Sequence, residues 1–391
     1  MTPSELRGRL KAFARQQGSK LEGMFDQDAL EARIAKSRLA RSDAERASAL
    51  EVHRKLQRDE DVSPNQMRLY EAIVVPTERP AIFVDDDSYV DAPEPWDGLN
   101  AAPEKANLEA AIRAVGRVEI SGPTSVPYVG TASVVGPGLL MTNRHVAKVF
   151  ARGDGLTARF KDGYGAAIDF KSERRSQSRS PLPVGRVRMV HPYWDMALLE
   201  IEGLAVPALT LNPVAPDDLA RQTVVLIGYP AKDPRNPEDV QDRVFGGVYG
   251  VKRLQPGYCL GRKIFESEGR SIETLAHDSS TLGGSSGSAV IDPRSGNVVG
   301  LHFAGEYLVA NYAVPAFALS RDGFVRDAGV RFAAGQAAIP NPWAALWAAT
   351  RPREAVNGAR PTELARAHTI RIPIEIALKI RVERARSDGE A

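Results

Sequence analysis

Three side chains in this sequence have the types and the order to work together on a carbonyl carbon: His145 in "TNRHVAKVF", Asp195 in "HPYWDMALLEI" and Ser286 in "TLGGSSGSAV". A serine hydroxyl is a weak nucleophile near neutral pH and needs a base within hydrogen-bond reach. Imidazole is the side chain that titrates in that range. A carboxylate on the far side of the ring selects the tautomer and stabilises the imidazolium formed during attack. Asp195 lies 50 residues after His145 and Ser286 another 91 residues on, and His, Asp, Ser is a known chain order for such a triad. Gly283, Gly284 and Gly287 allow a strained turn, in which the backbone N–H groups of Gly284 and Ser286 converge on the developing oxyanion. Each motif alone has a plainer reading: a strand-end histidine, a capping aspartate, a flexible Gly-Ser turn. Their ordered occurrence in one β-rich stretch favours the chemistry.

The elements that must position these residues are legible in outline. Over 117–316, short β-type runs recur between Gly and Pro turns without interleaved helices: "GRVEIS", "GTASVVG", "GLLMTN", "GRVRMVH", "MALLEI", "QTVVLIGY", "SAVID", "NVVGLHFAG" and "YLVANYAV". That texture predicts a β-sandwich or a pair of barrels. An α/β-hydrolase is excluded, since it requires the order Ser, Asp, His and alternating helices. Ahead of this body, 1–76 reads as a helical leader, with Leu6, Leu10 and Phe13 on one face and a Ser63-Pro64 start signal. Residues 77–116 hold two short strands around "DDD", a proline-bearing linker "APEPWDGLNAAPEK" and a helix near "ANLEAAIRAV". We therefore divide the chain into the leader, this lead-in, a main domain over 117–332 and a C-terminal extension over 333–391. In the extension Ile370, Ile372, Ile374, Ile376, Leu378, Ile380 and Val382 alternate, predicting a long strand with one buried face.

With 51 basic and 49 acidic residues among 391, the chain has no global field that would draw it to nucleic acid or an anionic membrane. The basic stretch 171–188 lacks aromatic residues for stacking and reads as a solvated loop. No apolar run is long enough to span a bilayer and "MTPSELRGRLKAFARQQGSK" has no apolar signal region; with the single Cys259 this leads us to expect a cytoplasmic protein without membrane association. Cys259 has no adjacent base and reads as a buried small hydrophobe. The acids at 85–87 read as a turn and not a calcium site, and His191 lacks the strand context of His145. We expect neither metal nor cofactor.

"GTASVVGPGLLMTNRHVA", "DMALLEI" and "GGSSGSAVID" together resemble the histidine, aspartate and nucleophile motifs of chymotrypsin-fold serine peptidases. The resemblance covers roughly 117–330. It implies a mainly β fold of two six-stranded antiparallel barrels, with His145 and Asp195 supplied by the first and Ser286 by the second. The texture is most similar to bacterial intracellular trypsin-like peptidase domains, which stand beside helical modules in effector or defence proteins, and to glutamyl endopeptidases. In the latter a threonine before the nucleophile motif and a histidine on the following strand line the primary pocket. Here these are Thr281, five residues before Ser286, and His302, sixteen after it. Their hydrogen-bonding groups suit the oxygen of a glutamate or glutamine side chain. Ser280 stands where trypsin-like basic preference requires a carboxylate. The expected function is a serine endopeptidase acting on proteins or peptides through an acyl-enzyme, held in check by a partner or signal reaching the leader or the C-terminal strand. The rival is a non-catalytic binding module on the same fold.

Overall fold

A computed structural model describes residues 42–58, 78–176, 180–234, 238–267, 270–306, 308–333 and 340–351, with isolated positions before residue 78. These fall within the compact unit Met1–Arg351; the unit Pro352–Ala391, with the alternating tail, lies outside the described residues, as do Leu6, Leu10 and Phe13.

In the leader, α1 (Asp43–Gln57) starts at Ser42, whose hydroxyl accepts from Glu45 N–H at 3.2 Å. Ser63 and Gln66 form a reciprocal capping box, each side chain accepting from the other's backbone N–H at 3.3 and 3.2 Å. The acidic lead-in is the expected hairpin, β1 (Ile82–Asp85) and β2 (Ser88–Tyr89), turning through Asp86 and Asp87 at φ +52° and +60°. Lys171 and Arg174 from the basic loop pair with Asp87 and Asp85, so turn and loop neutralise one another. The proline-bearing stretch differs from a loose linker. Trp96 is buried in it, donates its indole N–H to Glu78 O at 3.0 Å, and the chain continues into α2 (Glu104–Arg113).

The first barrel comprises β3 (Val115–Ser121), β4 (Tyr128–Gly136), β5 (Leu139–Thr142), then α3 (Arg144–Phe150), a two-stranded ribbon of β6 (Ala151–Arg152) and β7 (Arg159–Phe160), and β8 (Gly165–Asp169), β9 (Leu182–Pro183), β10 (Arg186–Val190) and β11 (Ala197–Glu200). The antiparallel order is β10-β11-β5-β4-β3-β8-β9. Strands β9 and β10 are one run of chain that changes partner: Val184 N–H bonds Ala166 O at 2.9 Å, and Gly185 N–H bonds Glu200 O at 2.9 Å. That switch joins the two sheet edges into a six-stranded barrel.

The second barrel holds β12 (Thr223–Gly228), α4 (Glu238–Phe245), β13 (Arg253–Ser267), β14 (Arg270–His277), β15 (Ala289–Asp292), β16 (Asn297–Glu306) and β17 (Ala310–Pro315), in order β12-β15-β16-β17-β14-β13, closed by β12–β13 pairing. The 15-residue β13 repeats the device, pairing with β12 through Tyr258 and with β14 from Cys259 onward. The fold is thus mainly β, with the two barrels that the resemblance implied. The hairpin β13–β14 and strand β8 were not foreseen, because Pro256, Gly257 and several charged residues break the apolar alternation. Short helices α5 (Ala316–Leu319), α6 (Gly323–Asp327) and α7 (Ala344–Ala349) follow. In α7 Trp347 is buried on the back of the loop preceding Asp195.

Candidate active site

Strand β5 delivers the chain to Asn143, whose extended backbone (φ −77°, ψ 153°) opens α3 and puts His145 in its first turn. Asp195, in the loop between β10 and β11, holds His145 at two points: Oδ2 lies 2.6 Å from ring Nδ1, and Oδ1 accepts the His145 backbone N–H at 2.9 Å. One carboxylate therefore fixes both the imidazole and the helix end that carries it. Asn143 Nδ2 donates to Asp195 O at 2.9 Å and ties the loop to β5. The His145 side chain is half exposed.

His191 does not compete as a base, being wholly buried. Its Nδ1 accepts from the N–H groups of Tyr193 and Trp194, both at 3.0 Å, so the proton sits on Nε2, which donates to Asp322 Oδ2 at 3.0 Å. Burial, together with the charge of Arg144, lowers its pKa more than Asp322 raises it. Asp322 also accepts Trp347 Nε1–H at 2.7 Å and Asn341 Nδ2 at 3.0 Å. Trp343 and Trp347 pack on the same imidazole, at ring-centre distances of 5.7 and 5.2 Å. The segment 341–347 thus braces the loop that carries Asp195.

Ser286 sits in a turn between β14 and β15 whose carbonyls are pinned. Gly283 O accepts from Ala231 N–H at 2.5 Å and Gly284 O from the Thr131 hydroxyl at 2.9 Å; Ser286 O accepts from Thr131 N–H at 2.8 Å. Gly284 has φ +82°, and a methyl group there would lie 2.5 Å from Tyr229 O. At Gly287 (φ +88°) a methyl would fall 1.9 Å from Thr131 O. Among the described residues no acceptor is bonded to the N–H of Gly284 or of Ser286, which leaves both donors for a ligand. Thr131, on β4 of the first barrel, is the joint between the barrels, and the sequence reading did not single it out.

His145 and Ser286 line one cleft of about 590 Å³, together with Ser280, Thr281 and His302. His302 is buried except toward this cleft. Its Nδ1 lies 3.3 Å from Nε2 of the buried His277, and burial, then His277, then His145, hold His302 far below the usual histidine range. Burial likewise brings His277 to about 4, so both rings are neutral. The Thr281 hydroxyl donates to Asn311 Oδ1 at 2.5 Å, and Ser280 donates to Arg79 O at 2.6 Å. Arg79 is buried between the rings of Trp96 and Tyr258 and grips Asp278 with two hydrogen bonds of 2.9 and 2.7 Å. Asn311 and Arg79 line the cleft and His277 backs His302 from behind it, and no sequence motif marked any of the three. Among the described residues no group of three or more His, Cys, Asp or Glu is arranged to hold a metal ion, and no helix is long and apolar enough to cross a membrane.

Residues 130–301 match the family model of the trypsin-like peptidase domain. A probable serine protease of Lysobacter enzymogenes is 30% identical over 319 residues, covering 71% of this chain and 80% of that protein. The chain belongs to the trypsin-like serine peptidases, hydrolases that cut within polypeptides. Among solved structures, the active form of the Rv3671c protease of M. tuberculosis aligns with 19% identity over 63% of this chain and 92% of its own, at a TM-score of 0.42. Deg5 aligns with 20% identity over 57% and 94%, at a TM-score of 0.38.

Proposed function

We propose that His145, Asp195 and Ser286 form the catalytic triad of this peptidase, and that the N–H groups of Gly284 and Ser286 form its oxyanion hole. The observation that carries this reading is the two-point grip of Asp195 on His145, at 2.6 and 2.9 Å, at the edge of the cleft that holds Ser286. With Nδ1–H turned to Asp195, Nε2 is the nitrogen that takes the Ser286 proton as Oγ attacks the scissile carbonyl. The carbonyl oxygen gains its negative charge against the two free N–H groups. Protonated His145 then gives its proton to the leaving amine, and water, activated by the same nitrogen, releases the acyl group.

The side chain preceding the scissile bond enters between Ser280, Thr281 and His302, and its class is glutamate or glutamine. Regulation falls to the leader: Arg9 pairs at 2.8 Å with Glu306, a cleft residue, and Glu45 of α1 lies 3.7 Å from Arg243 of α4, whose Val240 and Phe245 line the cleft. A partner that draws the leader away would change access. We assign the protease to a bacterial effector or defence system in the cytoplasm, a reading that rests on the resemblance and on the single buried thiol.

The test is labelling of the full chain with a fluorophosphonate, with the modified peptide read by mass spectrometry, beside peptide hydrolysis by wild type and Ser286→Ala. Adduct on Ser286 alone, and loss of at least about 10⁵-fold of hydrolysis in Ser286→Ala, are expected. Labelling elsewhere, or full activity in the variant, overturns the assignment. A chain that binds peptides but neither labels nor cuts is the binding module instead.

A further inference from the structure

The pocket beside Ser286 presents an unusual set of hydrogen-bonding groups once each proton is located. Asn311 Nδ2 donates to Ser279 O at 2.7 Å, which fixes the amide so that Oδ1 faces Thr281 at 2.5 Å. Two oxygens at that distance need a proton between them, and only the hydroxyl has one. Thr281 Oγ therefore offers the cleft lone pairs and no donor. Ser280 is in the same state, its proton given to Arg79 O at 2.6 Å.

His302 completes the set. In the neutral pair, either His302 Nδ1 or His277 Nε2 carries the shared proton. Among the described residues, His277 Nδ1 is buried without a partner, and a bare nitrogen there is tolerated better than an orphaned N–H. That places the shared proton on His277 Nε2 and the proton of His302 on its Nε2, the nitrogen left for the cleft. Two carboxylates at the cleft are already paired, Asp278 with Arg79 and Glu306 with Arg9. An entering carboxylate would meet the lone pairs of Thr281 and Ser280.

We infer that this pocket selects a carboxamide over a carboxylate, so that the enzyme cuts after glutamine in preference to glutamate, with Asn311 as the residue that sets the choice. The inference rests on the pocket reading proposed above. The glutamine carbonyl accepts from His302, and its NH₂ donates to Thr281 and Ser280.

The test uses the full chain and paired peptides that differ only in Gln, Glu or Lys before the scissile bond, with kcat/KM measured from pH 5 to 8. Gln is expected to exceed Glu by at least about 100-fold at pH 7.5. The ratio should shrink by up to about tenfold per pH unit on acidification, because a protonated glutamate donates as a carboxamide does. Any pH dependence of the chemical step itself affects both peptides alike and cancels in the ratio. Thr281→Val should lower Gln cleavage selectively, and Asn311→Ala, which frees the Thr281 proton, should narrow the ratio. Glu cleaved as well as Gln at pH 7.5, or a ratio independent of pH, overturns the inference and leaves the pocket standing. Cleavage only after Lys overturns both.

Discussion

Asp322→Asn changes one oxygen for an NH₂ group, and the structure allows its cost to be worked out. Oδ2 of Asp322 accepts from His191 Nε2 and Trp347 Nε1 at 3.0 and 2.7 Å; Oδ1 accepts from Phe324 N–H at 2.8 Å and Asn341 Nδ2 at 3.0 Å. Oδ1 also accepts from Val325 N–H at 3.4 Å, so either orientation of the amide turns an NH₂ toward at least two donors. His191 cannot adapt by moving its proton, because Nδ1 already accepts from Tyr193 and Trp194. Asn341 cannot easily flip, since its Oδ1 accepts from Trp343 N–H at 2.9 Å. Two hydrogen bonds to a charged acceptor, at about 1.5–3 kcal/mol each, give an expected loss of about 3–6 kcal/mol. A typical domain has about 5–15 kcal/mol in all, so the urea midpoint should fall by a large fraction. The assay is urea unfolding at pH 7, followed by the fluorescence of the tryptophans around His191. Wild-type stability should also fall as pH drops. His191 is lowered by burial, so the unfolded chain binds a proton below pH 6.5 that the fold refuses. For Asp322, burial raises the pKa, but the bonds from His191 and Trp347, with the further pull of His191 and the Phe324 N–H, together outweigh it, so its contribution is lost only in stronger acid, below the usual 3.8. A change under about 1 kcal/mol in Asp322→Asn would refute the bracing role.

Gly284→Ala, with a positive φ and Tyr229 O in the way, should lower kcat by about 10²–10³-fold with a smaller effect on KM, read in steady-state kinetics. Thr131→Val deprives Gly284 O of its donor and Tyr229 N–H of an acceptor 3.2 Å away; we expect a loss of about 1–3 kcal/mol in urea titrations and a fall in kcat. Arg79→Lys cannot make the paired bonds to Asp278 or stack between Trp96 and Tyr258, and should cost about 3–5 kcal/mol by thermal unfolding. Cys259, 1% exposed, should react with a thiol reagent only at the rate of global unfolding; rapid labelling of the native chain would contradict its placement.

The triad candidates were legible because their chemistry demands particular residue types beside glycines and apolar strands, and such demands leave local marks. "DMALLEI" and "GTASVVG" become strands buried on nearly every residue. The hairpin β13–β14 left no such mark. Arg253 is fully buried there, with its guanidinium on the carbonyls of Ala81, Phe245 and Val248 and its face 3.3 Å from the centre of the Phe83 ring. Lys252 is equally buried, donating to Ile112 O and Phe170 O at 3.0 and 2.7 Å and facing Glu173, and burial lowers its pKa to about 8. Hydropathy counts such residues as surface, because it cannot know that distant carbonyls will be waiting.

The same reasoning separates the residues proposed to perform the chemistry from those that aim them. His145, Asp195 and Ser286 are recognisable by type, but the direction of the Gly284 and Ser286 N–H groups depends on Thr131 and Ala231, at distances of 2.8–2.9 and 2.5 Å from the carbonyls they hold. Thr131 reads in sequence as one more β-branched strand residue. It acts across the barrel interface, so neither barrel alone can shape the turn. A change in the packing of the first barrel would therefore reach the candidate nucleophile of the second through Thr131, without touching any member of the proposed triad.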